Sequence, residues 1–103
     1  MTDEERFGDI IDTLVGEPAV TPPEGGPKFG SNGLKVNGHL FAMLVRGQLV
    51  LKLPRSRVDG LIDSGRGHVF DAGKGRPMKE WVSLDGNADW LAFAREAMEF
   101  VRS

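Results

Sequence analysis

The residues of this sequence best suited to acid–base or metal chemistry are its two histidines, His39 and His68. His68 is followed three positions later by Asp71, and a histidine beside a carboxylate can act as a general base. Residues three apart on one strand point to opposite faces of a sheet, so this pair is not expected to meet. His39 has no acidic residue at ligand spacing. The placement of the two histidines therefore predicts a protein that is not an enzyme, with no catalytic residue, no metal site and no cofactor.

Two short glycine-rich segments, residues 65–67 and 73–76, carry basic residues and superficially suggest a phosphate site. The spacing is not that of a P-loop, because Lys74 is followed by Gly75 where that loop has serine or threonine. The glycines are better explained as turn residues. The alternative prediction is that the basic side chains of this region cluster in space and contact phosphate groups by charge alone. The candidate anion or nucleic-acid contacts are Arg66, Lys74, Arg76 and Lys79.

Charge is unevenly distributed along the chain, whose net charge is −2. Residues 28–79 hold ten basic and three acidic residues, whereas residues 1–27 hold seven acidic residues and one basic residue. A basic sheet region flanked by acidic helices would suit an anionic partner. The acidic balance of the whole chain disfavours nucleic acid, because nucleic-acid-binding domains are usually basic. A nucleic-acid-associated regulator using region 28–79 is therefore an alternative that is not favoured.

Length and composition predict a single domain over residues 1–103. The hydrophobic content of 40% suits one core, and the absence of cysteine excludes a disulfide framework. The sequence has no apolar run of the roughly 20 residues that span a bilayer. Its acidic N-terminal residues are not typical of a signal peptide. We therefore expect a bacterial cytoplasmic protein with no membrane association.

Apolar periodicity and capping residues predict three helices. In the first helix, apolar residues recur at i, i+3, i+4 and i+7, and Thr2 and Glu5 have the spacing of a capping box. The second helix begins at Pro54, which suits a first helical turn, and ends near Gly65. The third helix carries an apolar stripe that begins at Trp90.

Residues 28–53 predict a three-stranded antiparallel meander. Asn37-Gly38 and Arg46-Gly47 separate strand-like runs and can supply the positive φ angles of tight hairpin turns. The middle run is apolar at nearly every position, so both of its faces should be covered.

Two further strands are expected in residues 67–73 and 78–84, and the Pro- and Gly-rich residues 17–27 should form an extended surface connection. The predicted fold is α+β and two-layered, with a five-stranded antiparallel sheet and helices mainly on one face. The predicted order is α-β-β-β-α-β-β-α.

Several short motifs follow one another between residues 28 and 101. They are Phe29-Gly30, Gly38, Phe41-Ala42, the Leu-x-Leu-Lys run at residues 49–52, and a Gly-x-Pro turn with a tryptophan-bearing strand at residues 73–84. In order and spacing these motifs resemble the N-terminal domain of the TfoX (Sxy) family. The resemblance implies an antiparallel sheet with packed helices, similar to secretion-chaperone-like folds. It also implies a role in competence or transcription regulation, usually without a known enzymatic activity.

The predicted function is a non-catalytic regulatory or protein-interaction domain that self-associates through its sheet, as a homodimer, or that binds another protein. Trp81 alternates with Val82, so it is expected on the sheet face that the helices leave open. Exposed apolar patches often mark interfaces, and tryptophan is frequent among interface hot spots. Burial of Trp81 in the domain's own core, and a small ligand-binding domain or enzyme, are the alternatives. The predicted interface residues are Phe41, Met43, Val45 and Trp81.

Overall fold

The computed structural model describes residues 2–22, 33–70, 79–86 and 88–103. Within these ranges three helices pack on one face of a six-stranded antiparallel sheet. The helices are α1 (Asp3–Leu14), α2 (Arg55–Asp63) and α3 (Trp90–Arg102). The strands are β1 (Val20–Thr21), β2 (Leu34–Val36), β3 (His39–Val45), β4 (Gln48–Lys52), β5 (Gly67–Val69) and β6 (Trp81–Leu84), in the spatial order β1-β2-β3-β4-β6-β5. The predicted α+β class is confirmed, whereas the prediction of five strands is wrong.

The additional strand, β1, lies in the segment that was expected to be an extended connection. Val20 pairs with Val36, so β1 extends the sheet at its edge beside β2. Pro18 and Pro22 flank this two-residue strand, and proline is confined to edge strands because it has no backbone N–H to donate. The observed order of elements is therefore α-β-β-β-β-α-β-β-α.

The two hairpin turns have the predicted backbone geometry. Asn37 and Gly38 have φ angles of 53° and 81°, and Arg46 and Gly47 have φ angles of 50° and 79°. Positive φ at both central residues is the signature of the two-residue turn that matches the twist of its strands. The turns join β2 to β3 and β3 to β4, which confirms the meander over the residues that the structure describes.

Side-chain caps fix the starts of α1 and α3. The Thr2 hydroxyl accepts a hydrogen bond from the Glu5 backbone N–H at 3.1 Å, and the Glu5 carboxylate accepts one from the Thr2 N–H at 3.1 Å. This capping box satisfies two backbone donors that the helix leaves unpaired. Asp89 caps α3 by accepting from the backbone N–H of Ala92 at 3.2 Å. Gly65 follows α2 with a φ of 79°, as the predicted end of that helix requires.

The core lies between the helices and the inner face of the sheet. α3 crosses β2, β3 and β4, α2 covers β5 and β6, and α1 packs beside α3. Gly67 permits the close approach of α2, because a Cβ there would lie 2.6 Å from Val82 Cγ2 and 3.2 Å from Leu61 Cβ. None of the helices in the described ranges has the length and apolar character needed to cross a membrane. The buried residues of the inner face are Leu34, Val36, Ala42, Leu44, Leu49, Leu51, Val82 and Leu84.

Candidate functional site

The face of the sheet opposite the helices is the candidate functional surface, and we name it the outer face. Its members follow from the strand register, because directly paired residues point to the same side of a sheet. Met43 pairs with Val50, Val50 with Ser83, and Ser83 with His68. Extending this row along the strands gives the set of outer-face residues in the described strands: Thr21, Lys35, Leu40, Met43, Val45, Gln48, Val50, Lys52, His68, Trp81 and Ser83.

Three of the four predicted interface residues lie on the outer face. Met43 and Val45 come from β3 and Trp81 comes from β6, and all three side chains are half-buried. Leu40, also half-buried, adds a fourth apolar side chain near the start of β3. The helices pack on the opposite face and do not cover these side chains.

Phe41, the fourth predicted interface residue, does not lie on the outer face. Leu34 pairs with Ala42 while Lys35 pairs with Leu40, which leaves Phe41 as an extra residue without a partner. In such a β-bulge two successive residues oppose one residue of the neighbouring strand. Phe41 is fully buried and belongs to the core. The prediction for this residue is wrong because strict alternation along β3 does not allow for the bulge.

Part of the outer face is already covered. Val50, at its centre, is only 1% exposed although it lies outside the main core cluster. Phe70, directly after β5, is 6% exposed. The two residues line a cavity of about 120 Å³, well below the ~300–1,000 Å³ of typical small-molecule sites. The other lining residues are Val45, Arg46, Gln48, Val69 and Ser83.

A chain of hydrogen bonds runs along the polar end of the outer face. The Ser83 hydroxyl donates to Gln48 Oε1 at 2.5 Å, and Gln48 Nε2 donates a weaker bond to Asp85 Oδ1 at 3.4 Å. His68 Nε2 lies 2.9 Å from both carboxylate oxygens of Asp85. A serine nucleophile needs its hydroxyl bonded to the base that activates it. Here the Ser83 hydroxyl is bonded to an amide oxygen, so this chain links β4, β5 and β6 and is not arranged as a serine–histidine pair.

The pairing of His68 with Asp85 was not foreseen from the sequence. Asp71, the acidic residue closest to His68 in the sequence, lies outside the described residues. Asp85 is 17 positions away and meets His68 because β5 and β6 are antiparallel. Both side chains are about half exposed, at 51% and 47%. No signal within the sequence links these two residues.

The outer face has no negative charge on its strands. Neither aspartate nor glutamate occurs in any of the six strands of the described chain. Lys35 is exposed and Lys52 is half-buried, and the ammonium nitrogen of Lys52 lies 6.0 Å from the centre of the Trp81 ring. That distance is at the outer limit of a cation–π interaction. The strands of this surface therefore combine apolar side chains with lysines, and the Asp85 carboxylate lies at its polar end, after β6.

Two of the four predicted anion-contact residues, Arg66 and Lys79, lie in the part of the chain that the structure describes. Lys74 and Arg76 lie outside the described residues, as does the Phe29-Gly30 pair. Arg66 precedes Gly67, which pairs with Leu84, whereas Lys79 lies beyond the other end of β6. Arg66 therefore lies opposite the residue after Leu84, six positions from Lys79, and at ~3.3 Å per residue the two backbones are on the order of 20 Å apart. The structure does not bring Arg66 and Lys79 together, because an antiparallel pair separates the starts of its two strands.

A groove between α1 and the start of α3 is a second candidate site, which the sequence did not indicate. The Arg6 guanidinium donates to the carbonyl oxygens of Gly86 at 2.7 Å and Ala88 at 3.1 Å. It also lies 3.9 Å from the centre of the Trp90 ring. These contacts join residues about 80 positions apart, so no local pattern could reveal them. The groove holds about 230 Å³ and is lined by Arg6, Asp9, Ile10, Thr13, Asp89, Trp90 and Leu91.

A larger cavity lies between the end of α2 and α3, with a volume of about 380 Å³. Its polar groups already have partners within the protein. Arg66 Nε donates to the Ser64 hydroxyl at 3.1 Å, and Asp85 is paired with His68. No group of three or more histidine, cysteine, aspartate or glutamate side chains suited to a metal ion occurs in the part of the chain that the structure describes.

An ion pair on the helix layer fixes α2 against α3. Arg57 donates to both carboxylate oxygens of Glu96, at 2.7 Å and 3.1 Å. These hydrogen bonds raise the pKa of Arg57 above its ordinary value, despite a smaller lowering by burial. Arg57 therefore stays charged throughout the neutral range, and the position of the pair on the helix layer gives it a structural role.

No protein-family model matches the chain, and neither the curated proteins nor the solved structures contain a significant match to it. The likeness to the TfoX N-terminal domain therefore stays a prediction that depends on the sequence motifs.

Proposed function

We propose that this chain is a non-catalytic regulatory domain, of the kind that the TfoX N-terminal domain represents, and that it self-associates through the outer face of its sheet. The observation that carries the proposal is the position of Met43, Val45 and Trp81, half-buried on the face that the helices do not cover. Interfaces are enriched in methionine and aromatic residues at their centres. A second copy of the chain offers these side chains a partner surface.

The chemistry of the described residues supports a binding role over catalysis. The Ser83 hydroxyl is bonded to Gln48, and the cavity beside it is small. Arg66 and Asp85, which face the 380 Å³ cavity between α2 and α3, are bonded within the protein. A site for a small ligand would instead present convergent polar groups to an open pocket.

Sedimentation over a range of protein concentrations tests the proposal. We expect the wild-type chain to associate, and we expect Trp81→Ala and Val45→Asp to weaken association at least about tenfold, as loss of an interface anchor does. Val15→Asp is the matched control, because Val15 is exposed at the end of α1, away from the outer face. A wild-type chain that remains monomeric at high micromolar concentration would refute the proposal.

Nucleic acid is the second candidate partner, favoured by the absence of acidic residues from the described strands and by Lys35 and Lys52 on the outer face. Phosphate contacts make binding strongly dependent on salt. Titration of single- and double-stranded DNA at low salt would detect it. The expected signs are loss of binding with added salt and weaker binding by a Lys35→Ala, Lys52→Ala variant. No binding at low salt would remove this candidate.

A further inference from the structure

Two features on opposite sides of this domain match in size. Trp81 projects from the outer face and is half-buried. The groove between α1 and α3 has a volume of about 230 Å³, below the ~300 Å³ at which small-molecule pockets begin. Its apolar walls are Ile10, Trp90 and Leu91, and Leu91 is 36% exposed. A cavity of this size and lining suits one large apolar side chain.

The charges beside these two features are opposite. Lys52 lies next to Trp81 on the outer face. Asp9 and Asp89 line the groove, and both are exposed. Arg6 also lines the groove, and its guanidinium keeps its positive charge although it is bonded to two backbone carbonyl oxygens and stacked on an indole ring. The groove therefore holds two carboxylates against one guanidinium, and the Asp89 carboxylate also caps α3. The whole of α1 carries five acidic residues and one basic residue, whereas the described strands carry no acidic residue.

A symmetric contact between two outer faces would bring the lysines of both copies into one interface. Like charges placed together across an interface are unfavourable, whereas opposite charges favour both the orientation and the rate of association. We propose that the outer face of one copy docks on the α1–α3 groove of a second copy, with Trp81 in the groove and Lys52 beside Asp9 and Asp89. This inference rests on the self-association proposed above and identifies the surface that the outer face meets.

The contact is head-to-tail, because two different surfaces meet. Each dimer then keeps one free outer face and one free groove, so assembly continues past two copies unless a ring closes. A symmetric contact between outer faces would stop at the dimer. The two arrangements therefore differ in their distribution of species as the protein concentration rises.

Salt gives the first test on the unmodified protein. Attraction between Lys52 and the groove carboxylates is screened by salt, so head-to-tail association should weaken between about 50 mM and 500 mM salt. A contact between two lysine-bearing faces should strengthen over the same range, because screening reduces repulsion. Strengthening with salt would overturn the head-to-tail arrangement and leave self-association intact.

Mixing two defective variants gives the decisive test. The face variant is Trp81→Ala, and the groove variant combines Asp9→Lys with Leu91→Ala. Each should be monomeric alone at concentrations where the wild-type chain associates. An equimolar mixture should form a dimer and grow no further, because only one intact face and one intact groove remain to pair. The charge control is Asp59→Lys, which changes an exposed acidic residue on α2 and should associate as the wild type does.

The outcomes separate the two proposals. A groove variant that associates as strongly as the wild type would overturn the head-to-tail contact while the proposed function stands. A mixture that stays monomeric would also overturn it. A wild-type chain that never associates would refute both proposals. Circular dichroism confirms folding of each variant, and Lys52→Glu serves as a second face variant should Trp81→Ala not fold.

Discussion

The inner and outer faces of the sheet are formed by alternate residues of the same strands, and they differ in composition. Along β4, Leu49 and Leu51 point to the helices and are fully buried. Gln48 and Lys52 point outward and are half-buried, with buried Val50 between them. The inner face is therefore a completed core, whereas the outer face places apolar and charged side chains together. Substitutions on the inner face should reduce stability, and those on the outer face should mainly reduce association.

The largest expected effect concerns neighbouring residues of β3 that lie on different faces. Phe41→Ala should lower the free energy of unfolding by about 3–5 kcal/mol, because it removes a fully buried aromatic ring and leaves a cavity. Met43→Ala should cost less than about 1.5 kcal/mol, because its side chain is only half-buried. Chemical denaturation measures both. If the alanine variant does not fold, Phe41→Leu is compared with Met43→Ala instead. Equal losses of unfolding free energy at the two positions would contradict the difference between the faces.

Two glycines test how closely α2 approaches the inner face. Gly67→Ala should destabilise by about 1–3 kcal/mol, because the new Cβ would lie 2.6 Å from Val82 Cγ2. Gly60→Ala lies within α2 with no atom within 4 Å of the new Cβ, and it should stabilise by about 0.5–1 kcal/mol. Thermal denaturation of both variants checks the signs. A stabilising Gly67→Ala would show that α2 and β5 can separate without cost.

Val50 is an exception to the difference between the two faces, since it lies on the outer face but is buried like an inner-face residue. Val50→Ala should cost about 1.6 kcal/mol or slightly more, the transfer free energy of two buried methyl-sized groups. Phe70→Ala should reduce this cost, because both residues line the same cavity. A double-mutant cycle of unfolding free energies measures the coupling. Strictly additive effects would indicate that Phe70 does not cover Val50.

The smallest expected effect is on the helix layer, far from the sheet. Glu96→Gln should cost less than about 1 kcal/mol, because Arg57 and Glu96 are each 38% exposed. Since Glu96 raises the pKa of Arg57, the contribution of Arg57 to stability is fully present below the ordinary pKa of arginine. It is lost only as pH rises through the higher pKa of the folded state. The difference from wild type should therefore stay constant between about pH 6 and pH 9. A pH-dependent difference in unfolding free energy would require another titrating group.

Local sequence signals predicted the elements that depend on neighbouring residues. The positive φ angles at Asn37-Gly38, the capping box of Thr2 with Glu5 and the burial of Val82 opposite an outward-facing Trp81 follow from patterns within a few positions. Hairpin turns and helix caps are set by local backbone chemistry, which is why short patterns were sufficient.

The features that the sequence did not reveal depend on distant pairing. β1 forms because Val20 meets Val36, and a two-residue strand in a proline-rich segment has no detectable periodicity. The Arg6 contacts with Trp90 and the loop before it depend on how α1 packs against α3. The separation of Arg66 from Lys79 likewise required knowledge of the strand register. Candidate sites assembled from distant residues were therefore the least predictable part of the molecule.

The β-bulge in β3 has a consequence for insertions and deletions. Without Phe41 the pairing of β2 with β3 would be regular, since Leu34 and Lys35 would face Ala42 and Leu40 in succession. Every other side chain of the sheet would keep its face. Loss of one residue elsewhere in β3, such as Leu44, would transfer part of the strand from one face to the other. A homologous sequence one residue shorter in this strand is therefore best aligned with its gap at Phe41, the position where length can change without exchanging the core and the outer surface.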